Sequence, residues 1–257
     1  MSYALVTGAS KGIGKAIAIE LAKRKFDLLL IARSEQLLQS VTEEIQKLYS
    51  VQVKYLALDL SDHNAAEQIY NWCKQNKYQV SILVNNAGYG LCGPFDTASI
   101  EELTNMMQLN MTTLVKLCHI FLPMLKKQPK SYILNVSSTT AYQALPGMSV
   151  YAASKTFVLS FTRGLKHELK GTSVSVTCLS PGSTDTAFVE RARITPKALE
   201  AAKKVNMTPE AVAKDGVKKM FAGKAEVISG GLNQLGAFMA WLLPKAMIEK
   251  IAGSIYK

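Results

Sequence analysis

The sequence is poor in the residues that hold small folds together covalently or through metals. Its four cysteines, Cys73, Cys92, Cys118 and Cys178, are scattered with no CxxC pair, and its three histidines, His63, His119 and His167, fall at no metal-ligand spacing with them or with one another. Neither a disulfide scaffold, a structural zinc nor any other metal site is expected. The 16 glycines and 8 prolines are too few for a fibrous or disordered chain, and no low-complexity segment or internal repeat occurs. The first residues, MSYALVTGAS, lack the basic start and apolar run of a secretory signal. The apolar stretch after Gly231 is interrupted by Pro244, Lys245, Glu249 and Lys250 too soon to span a bilayer. Together these absences predict a reducing, cytoplasmic location.

Acidic residues are also scarce: 19 Asp and Glu face 30 Lys and Arg, for a net charge of +11. From Ala187 to Lys257 the count is twelve basic against six acidic residues, so the excess leans toward the C-terminus. Such a surface attracts phosphate-bearing ligands, anionic membranes or nucleic acid. The basic residues alternate with acids and no series of base-stacking aromatics accompanies them, so no nucleic-acid partner is expected.

What is present is a globular chain of 257 residues, 48% hydrophobic, large enough for a sizeable core and expected to form one domain over 1–257. Short apolar runs alternate with amphipathic ones. Strands are predicted at Tyr3 to Thr7, Leu28 to Ile31, Val51 to Leu58, Ile82 to Asn85, Tyr132 to Val136, Val174 to Leu179 and Val227 to Ser229. Between them lie helical patterns: one through Ile13, Ile17 and Leu21, then Ser34 to Leu48, Asp62 to Gln75, a long one from the Ser99-Ile-Glu-Glu102 capping box toward Lys127, and Tyr151 to Lys170. Strands apolar on both faces, each followed by a helix, imply a buried parallel sheet. Thr195-Pro196 and Thr208-Pro209 each place a cap residue before a first-turn proline, which predicts two inserted helices and a substrate lid over 187–223. The apolar tail, 232–257, is read as capping the core, with docking on a membrane surface as the alternative.

Three clusters carry chemistry. Thr7-Gly-Ala-Ser-Lys-Gly-Ile-Gly14 joins the first strand to the first helix, where missing β-carbons let backbone approach a pyrophosphate at a helix N-terminus. Its GxxxGxG spacing differs from the common GxGxxG dinucleotide fingerprint, so a plain tight turn stays open on the loop alone. Asn85-Asn-Ala-Gly88 follows the fourth strand, at the edge of an α/β sheet where ligands collect. Tyr151-Ala-Ala-Ser-Lys155 sets a phenol and an ammonium four residues apart on one helix face, where the cation favours the ionised phenol.

Complete and in order, these motifs, with a strand-end serine and Pro181-Gly182, resemble the short-chain dehydrogenase/reductase family over about the first 190 residues. The resemblance implies an α/β fold, a Rossmann-type doubly wound parallel sheet of order 3-2-1-4-5-6-7 with helices on both faces. It implies Asn110, Ser138, Tyr151 and Lys155 as catalytic residues. Ser138, chosen over its neighbour Ser137 by family spacing alone, would bond the substrate carbonyl; Tyr151 would donate the proton; Lys155 would bind the nicotinamide ribose; Asn110 would kink its helix and position a relay water.

Cofactor contacts are expected, on the same grounds, from Gly8, Ser10, Lys11, Gly12, Ile13, Gly14, Asp59, Leu60, Asn86, Ala87, Gly88, Tyr151, Lys155, Pro181, Gly182 and Thr186, with Thr184 the competing hydroxyl. Lys11 and Arg33, with no acid at Ile31, Ala32 or Arg33, suit the 2′-phosphate of NADP (NADPH) rather than NAD. A small-molecule carbonyl substrate is expected, and Tyr89, Leu91, Phe95, Tyr142, Leu145 and Phe188 at the pocket mouth favour a lipophilic one, such as a 3-oxoacyl or steroid compound. The family commonly forms homodimers or homotetramers. A non-catalytic NADPH-binding protein of the same fold is the competing functional class.

Overall fold

The computed structural model describes residues 2–184, 192–194, 199–200 and 206–256. Its apolar runs form β1 (Tyr3–Thr7), β2 (Asp27–Ala32), β3 (Val53–Ala57), β4 (Val80–Asn85), β5 (Ser131–Val136), β6 (Val174–Ser180) and β7 (Glu226–Ile228). All pair in parallel, in the order β3-β2-β1-β4-β5-β6-β7 that was expected. Every residue of β1, β4 and β5 is buried, as a parallel sheet covered on both faces requires.

The α-helices given by the described residues are α1 (Gly12–Lys23), α2 (Glu35–Leu48), α3 (Ala65–Gln75), α4 (Ile100–Met107), α5 (Thr113–Lys126), α6 (Ser149–Glu168), α7 (Pro209–Phe221), α8 (Gly231–Leu242) and α9 (Lys245–Tyr256). Alternate residues of the strands feed two apolar layers. Leu5, Leu29, Leu83 and Ile133 meet Ile69 of α3, Phe121 of α5 and Val158 of α6; Val6, Leu30, Val84 and Leu134 meet Ile17 of α1, Leu38 of α2 and Val217 of α7. Chain order reverses between β2-β1 and β1-β4, and this opens the crevice at the carboxyl edge of the sheet.

Several helix starts follow the sequence signals. Ser34 Oγ accepts from Leu37 N, and Thr208 Oγ1 accepts from Ala211 N with Pro209 in the first turn. The helix expected at Thr195-Pro196 lies outside the described residues. The capping box at Ser99 is half formed: Ser99 Oγ accepts from Glu102 N, while the Glu102 carboxylate turns to Arg193 Nη2 at 2.6 Å.

Other boundaries differ from expectation. The single helix expected from Ser99 to Lys127 is interrupted by a wide π-type turn over Gln108–Thr112, which separates α4 from α5. Asn110 lies in the middle of this turn, and its buried side chain turns inward to bond the backbone of Tyr89. β3 is shorter than Val51 to Leu58, β4 starts two residues before Ile82, and α6 starts two residues before Tyr151. α3 starts at Ala65 rather than near Asp62, because successive turns at Asp59 and Asp62 take up the preceding backbone. The tail does not cap the core as expected: Ala240 and Ala252 are buried, whereas most of its large apolar side chains are exposed. Among the described residues, no helix is long and apolar enough to cross a membrane.

Among the described residues Phe121 is the largest fully buried side chain, and it meets the Tyr70 ring edge-on at 5.5 Å. Phe121→Ala is expected to lower unfolding free energy by roughly 3–5 kcal/mol. Urea titration would show this as a lower midpoint at unchanged slope.

Candidate active site

The carboxyl ends of β1, β4, β5 and β6 surround a cavity of about 430 Å³. Its first wall is the loop between β1 and α1. Gly8 has φ +64°, and a β-carbon on Gly14 would stand 2.2 Å from the Gly8 carbonyl oxygen and 2.4 Å from Asn86 Nδ2. Only glycine lets this loop fold back so tightly. Gly8, Ser10, Lys11, Gly12 and Ile13 line the cavity, while Gly14 lies behind the loop, packed against the Gly8 carbonyl and Asn86.

Asn86 locks this wall to β4. Its Nδ2 donates to the carbonyls of Thr7 (2.9 Å) and Gly8 (3.2 Å). Thr7 Oγ1 accepts from Asn86 N and Ala87 N and donates to Val84 O. Thr7 was not singled out for this role in the sequence, although it opens the glycine motif. Asn86, Ala87 and Gly88 line the cavity.

At one end lie Arg33, Ser34, Leu37, Leu58, Asp59 and Leu60. Arg33 Nη1 stands 3.7 Å from Asp59 Oδ2, and both side chains are substantially exposed. Asp59 Oδ1 also accepts from Ser61 N and Oγ. An ion pair this exposed contributes little.

The opposite end gathers Ser138, Tyr151 and Lys155. Ser138 caps the single-turn helix Thr139–Tyr142, its Oγ accepting from Thr140 N at 3.1 Å. Ser137 also lines the cavity, but its hydroxyl donates to Lys155 O at 2.7 Å, which leaves Ser138 the freer of the two. Tyr151 and Lys155 lie one turn apart on α6, with Lys155 Nζ 5.7 Å from the Tyr151 ring centre. Lys155 Nζ donates to Val136 O at 3.0 Å, and burial pushes the ammonium down to about 8.

Asn110 does not line the cavity; it builds the floor beneath it. Its Oδ1 accepts from Tyr89 N, and its Nδ2 donates to Tyr89 O (2.9 Å) and to Ser154 Oγ (3.1 Å). A β-carbon on Gly88 would stand 2.9 Å from Asn110 Oδ1 and 3.4 Å from Lys155 Nζ, so these two side chains flank Gly88.

Pro181, Gly182, Ser183 and Thr184 close the cavity beyond β6. Thr184 Oγ1 donates to Gly182 O at 3.0 Å. Thr186 and Phe188 lie outside the described residues. Of the other apolar residues expected at the mouth, Tyr89 alone lines this cavity. Leu91 and Phe95 line a small neighbouring pocket, and Leu145 is buried in the core. The Tyr142 hydroxyl faces Glu226 Oε1 and Ser180 Oγ. The apolar wall comes instead from Leu109, Met148, Ile194 and Leu199. Leu109 and Met148, next to Asn110 and one turn before Tyr151, were open to recognition by helical spacing; the other two sit in the expected lid and have no motif.

A tight glycine turn at a helix start, a cation at one end and a Ser-Tyr-Lys cluster at the other line one continuous cavity, a shape and donor set that fit an elongated dinucleotide.

Comparison with known proteins agrees with this geometry. Residues 2–197 match the family described as short chain dehydrogenase. A 7beta-hydroxysteroid dehydrogenase of Clostridium sardiniense is 30% identical over 233 residues, covering 90% of this chain and 87% of its own. The very-long-chain 3-oxoacyl-CoA reductase-A of Danio rerio is 33% identical over 183 residues, covering 70% of this chain. The chain spans only 57% of that relative, and about three fifths of several other vertebrate relatives. A solved short-chain dehydrogenase from Sphingobium yanoikuyae in complex with NADPH superposes with a TM-score of 0.80 at 27% identity, covering 89% of this chain and 87% of that one.

Lys155 gives a pH test of this buried site. Below pH 8 the folded protein carries a buried ammonium, so its penalty is fully present; between about 8 and the unfolded value of 10.5 only the unfolded chain holds that proton, so folding gains stability as pH rises. The wild type is therefore expected to gain up to roughly 3 kcal/mol over Lys155→Met across that window. Paired urea titrations at pH 7 and pH 10 check it; a constant difference would place the ammonium in water.

Proposed function

Because the chain belongs to the short-chain dehydrogenase/reductase family, whose members are oxidoreductases acting on hydroxyl and carbonyl groups, we propose that it is an NADPH-dependent reductase of a lipophilic ketone or aldehyde. The observation that carries this reading is the meeting of Ser138, Tyr151 and Lys155 at one end of a cavity whose other end holds the glycine turn and Arg33.

Gly8, Ser10, Lys11, Gly12 and Ile13 would hold the pyrophosphate, Asp59 and Leu60 the adenine, and Arg33 with Lys11 the 2′-phosphate. Pro181, Gly182 and Lys155 would hold the nicotinamide riboside. When bound, the nicotinamide supplies a hydride for the carbonyl carbon. Ser138 donates a hydrogen bond to the carbonyl oxygen and polarises it. Tyr151 gives that oxygen its proton, and the Lys155 ammonium favours the phenolate left behind. Asn110 holds the Tyr89 backbone and the Ser154 hydroxyl, which keeps Gly88 and Lys155 in place. Leu109, Met148, Ile194 and Leu199 keep water from the reacting end and leave an apolar surface for the substrate.

The apolar wall and the named relatives support steroid or 3-oxoacyl carbonyls as substrates. NADPH is favoured by Arg33 at the end of β2, where no carboxylate occupies Ile31, Ala32 or Arg33.

Consumption of NADPH and of NADH, followed by loss of reduced-nicotinamide absorbance over a panel of steroids, 3-oxoacyl thioesters and simple ketones, tests the reading. Tyr151→Phe is expected to lower turnover by about 10²–10⁴-fold while NADPH still binds. Tight NADPH binding with no turnover of any carbonyl would instead fit a non-catalytic binding protein. Arg33→Asp is expected to weaken NADPH at least about 10-fold relative to NADH, by removing a charge-assisted contact and adding a repulsive one; an unchanged ratio would reject NADPH preference through this residue.

A further inference from the structure

The two C-terminal helices, α8 and α9, carry an apolar surface that the reductase chemistry does not use. Across α8, Leu232 (67% exposed), Leu235, Phe238, Trp241 (77%) and Leu242 project into solvent, and the helix contains no charged residue. Past the bend at Leu243 and Pro244, Met247 and Ile251 of α9 are exposed as well. Single exposed apolar residues are ordinary, but seven large ones concentrated on two consecutive helices are what soluble proteins keep for binding.

The charge around the patch selects its occupant. Lys245 and Lys250 are exposed on the same helix as Met247 and Ile251, while Glu249, the single acid of the two helices, is partly buried. The whole chain is at +11. Two copies joined through this face would bring like charges together, whereas an anionic lipid surface attracts them. Each helix has 12 residues, far short of a bilayer span, so the suitable pose lies in the plane of the headgroups, with Trp241 and Phe238 inserted and the lysines at phosphate level.

We propose that α8 and α9 form a peripheral docking surface for membranes rich in anionic phospholipid. The surface is coupled to the active site: Asn233, on the first turn of α8, lies against Gly182, where an added β-carbon would stand 2.3 Å from its Nδ2. Asn233 Nδ2 also donates to Ser229 O at 2.8 Å, which ties α8 to the segment after β7. Docking therefore acts on an element that touches the Pro181-Gly182 turn.

Co-sedimentation of the full chain with phosphatidylcholine vesicles, with and without phosphatidylglycerol, tests the proposal. Binding is expected with phosphatidylglycerol at low salt and is lost at high salt, and Lys245→Gln and Lys250→Gln each weaken it about 5-fold. Phe238→Ser/Trp241→Ser should abolish binding; both side chains are exposed, and circular dichroism checks that the variant remains folded. In a Trp72→Phe background the remaining Trp241 emission should shift to the blue on adding anionic vesicles. Absence of vesicle binding, or binding unaffected by the Phe238/Trp241 change, overturns the proposal. So does a wild-type dimer that binds no vesicles and dissociates in that variant, since the face would then join two copies.

Discussion

Every strand of a parallel sheet ends at one edge with backbone groups pointing beyond the last ladder partner, and buried groups of this kind must find partners. In this protein side chains in and just beneath the cavity wall supply many of them. Thr7 Oγ1 donates to Val84 O, Asn86 Nδ2 to Thr7 O and Gly8 O, and Lys155 Nζ to Val136 O. Ser137 bonds the Lys155 carbonyl, and Asn110 takes both the N–H and the carbonyl of Tyr89. The edge that could bind a dinucleotide is thus held rigid by the same residue types that give it chemistry. A substitution here disturbs the scaffold and the site together, so the pH dependence of Lys155 and the turnover of Tyr151 variants carry more information than loss of activity alone.

Much of this was legible because it is local. A glycine turn between an apolar run and a helical pattern fixes where β1 ends and α1 begins, and Tyr151 and Lys155 four residues apart must share a face of α6. The sheet order and the selection of Ser138 came from family likeness, since neither can be computed from periodicity. What escaped depends on side chains distant in sequence. Family likeness marked Asn110 as the kink in its helix, but nothing near it in sequence indicates that its amide would reach the Tyr89 backbone, 21 positions away. The apolar wall was misread for a similar reason. Leu145 looked available at a pocket mouth, yet the fold buries it, and Tyr142 faces Glu226, 84 positions away.

The tail shows the limit of hydropathy. An apolar stretch after the last strand is most simply read as core cover, and Ala240 and Ala252 do pack inward. Small residues on the inner face and large ones on the outer face are the reverse of an ordinary amphipathic surface helix. Composition alone cannot distinguish the two arrangements; the phase of the helix relative to the body decides, and that phase is set where Asn233 is lodged against Gly182.

That contact also constrains how the two ends of the chain's chemistry relate. Gly182 has no side chain, and the space a β-carbon would need is filled by Asn233, so the turn after β6 and the start of α8 keep one register. A shift of α8 must either move the Pro181-Gly182 turn or break the Asn233 bond to Ser229 O. The first response alters the wall of the cavity beyond β6, whereas the glycine turn is anchored through β1 and Asn86 and Arg33 follows β2, away from this contact. Force on the tail would therefore reach the cavity first through the Pro181-Gly182 turn, because that is the wall against which Asn233 packs.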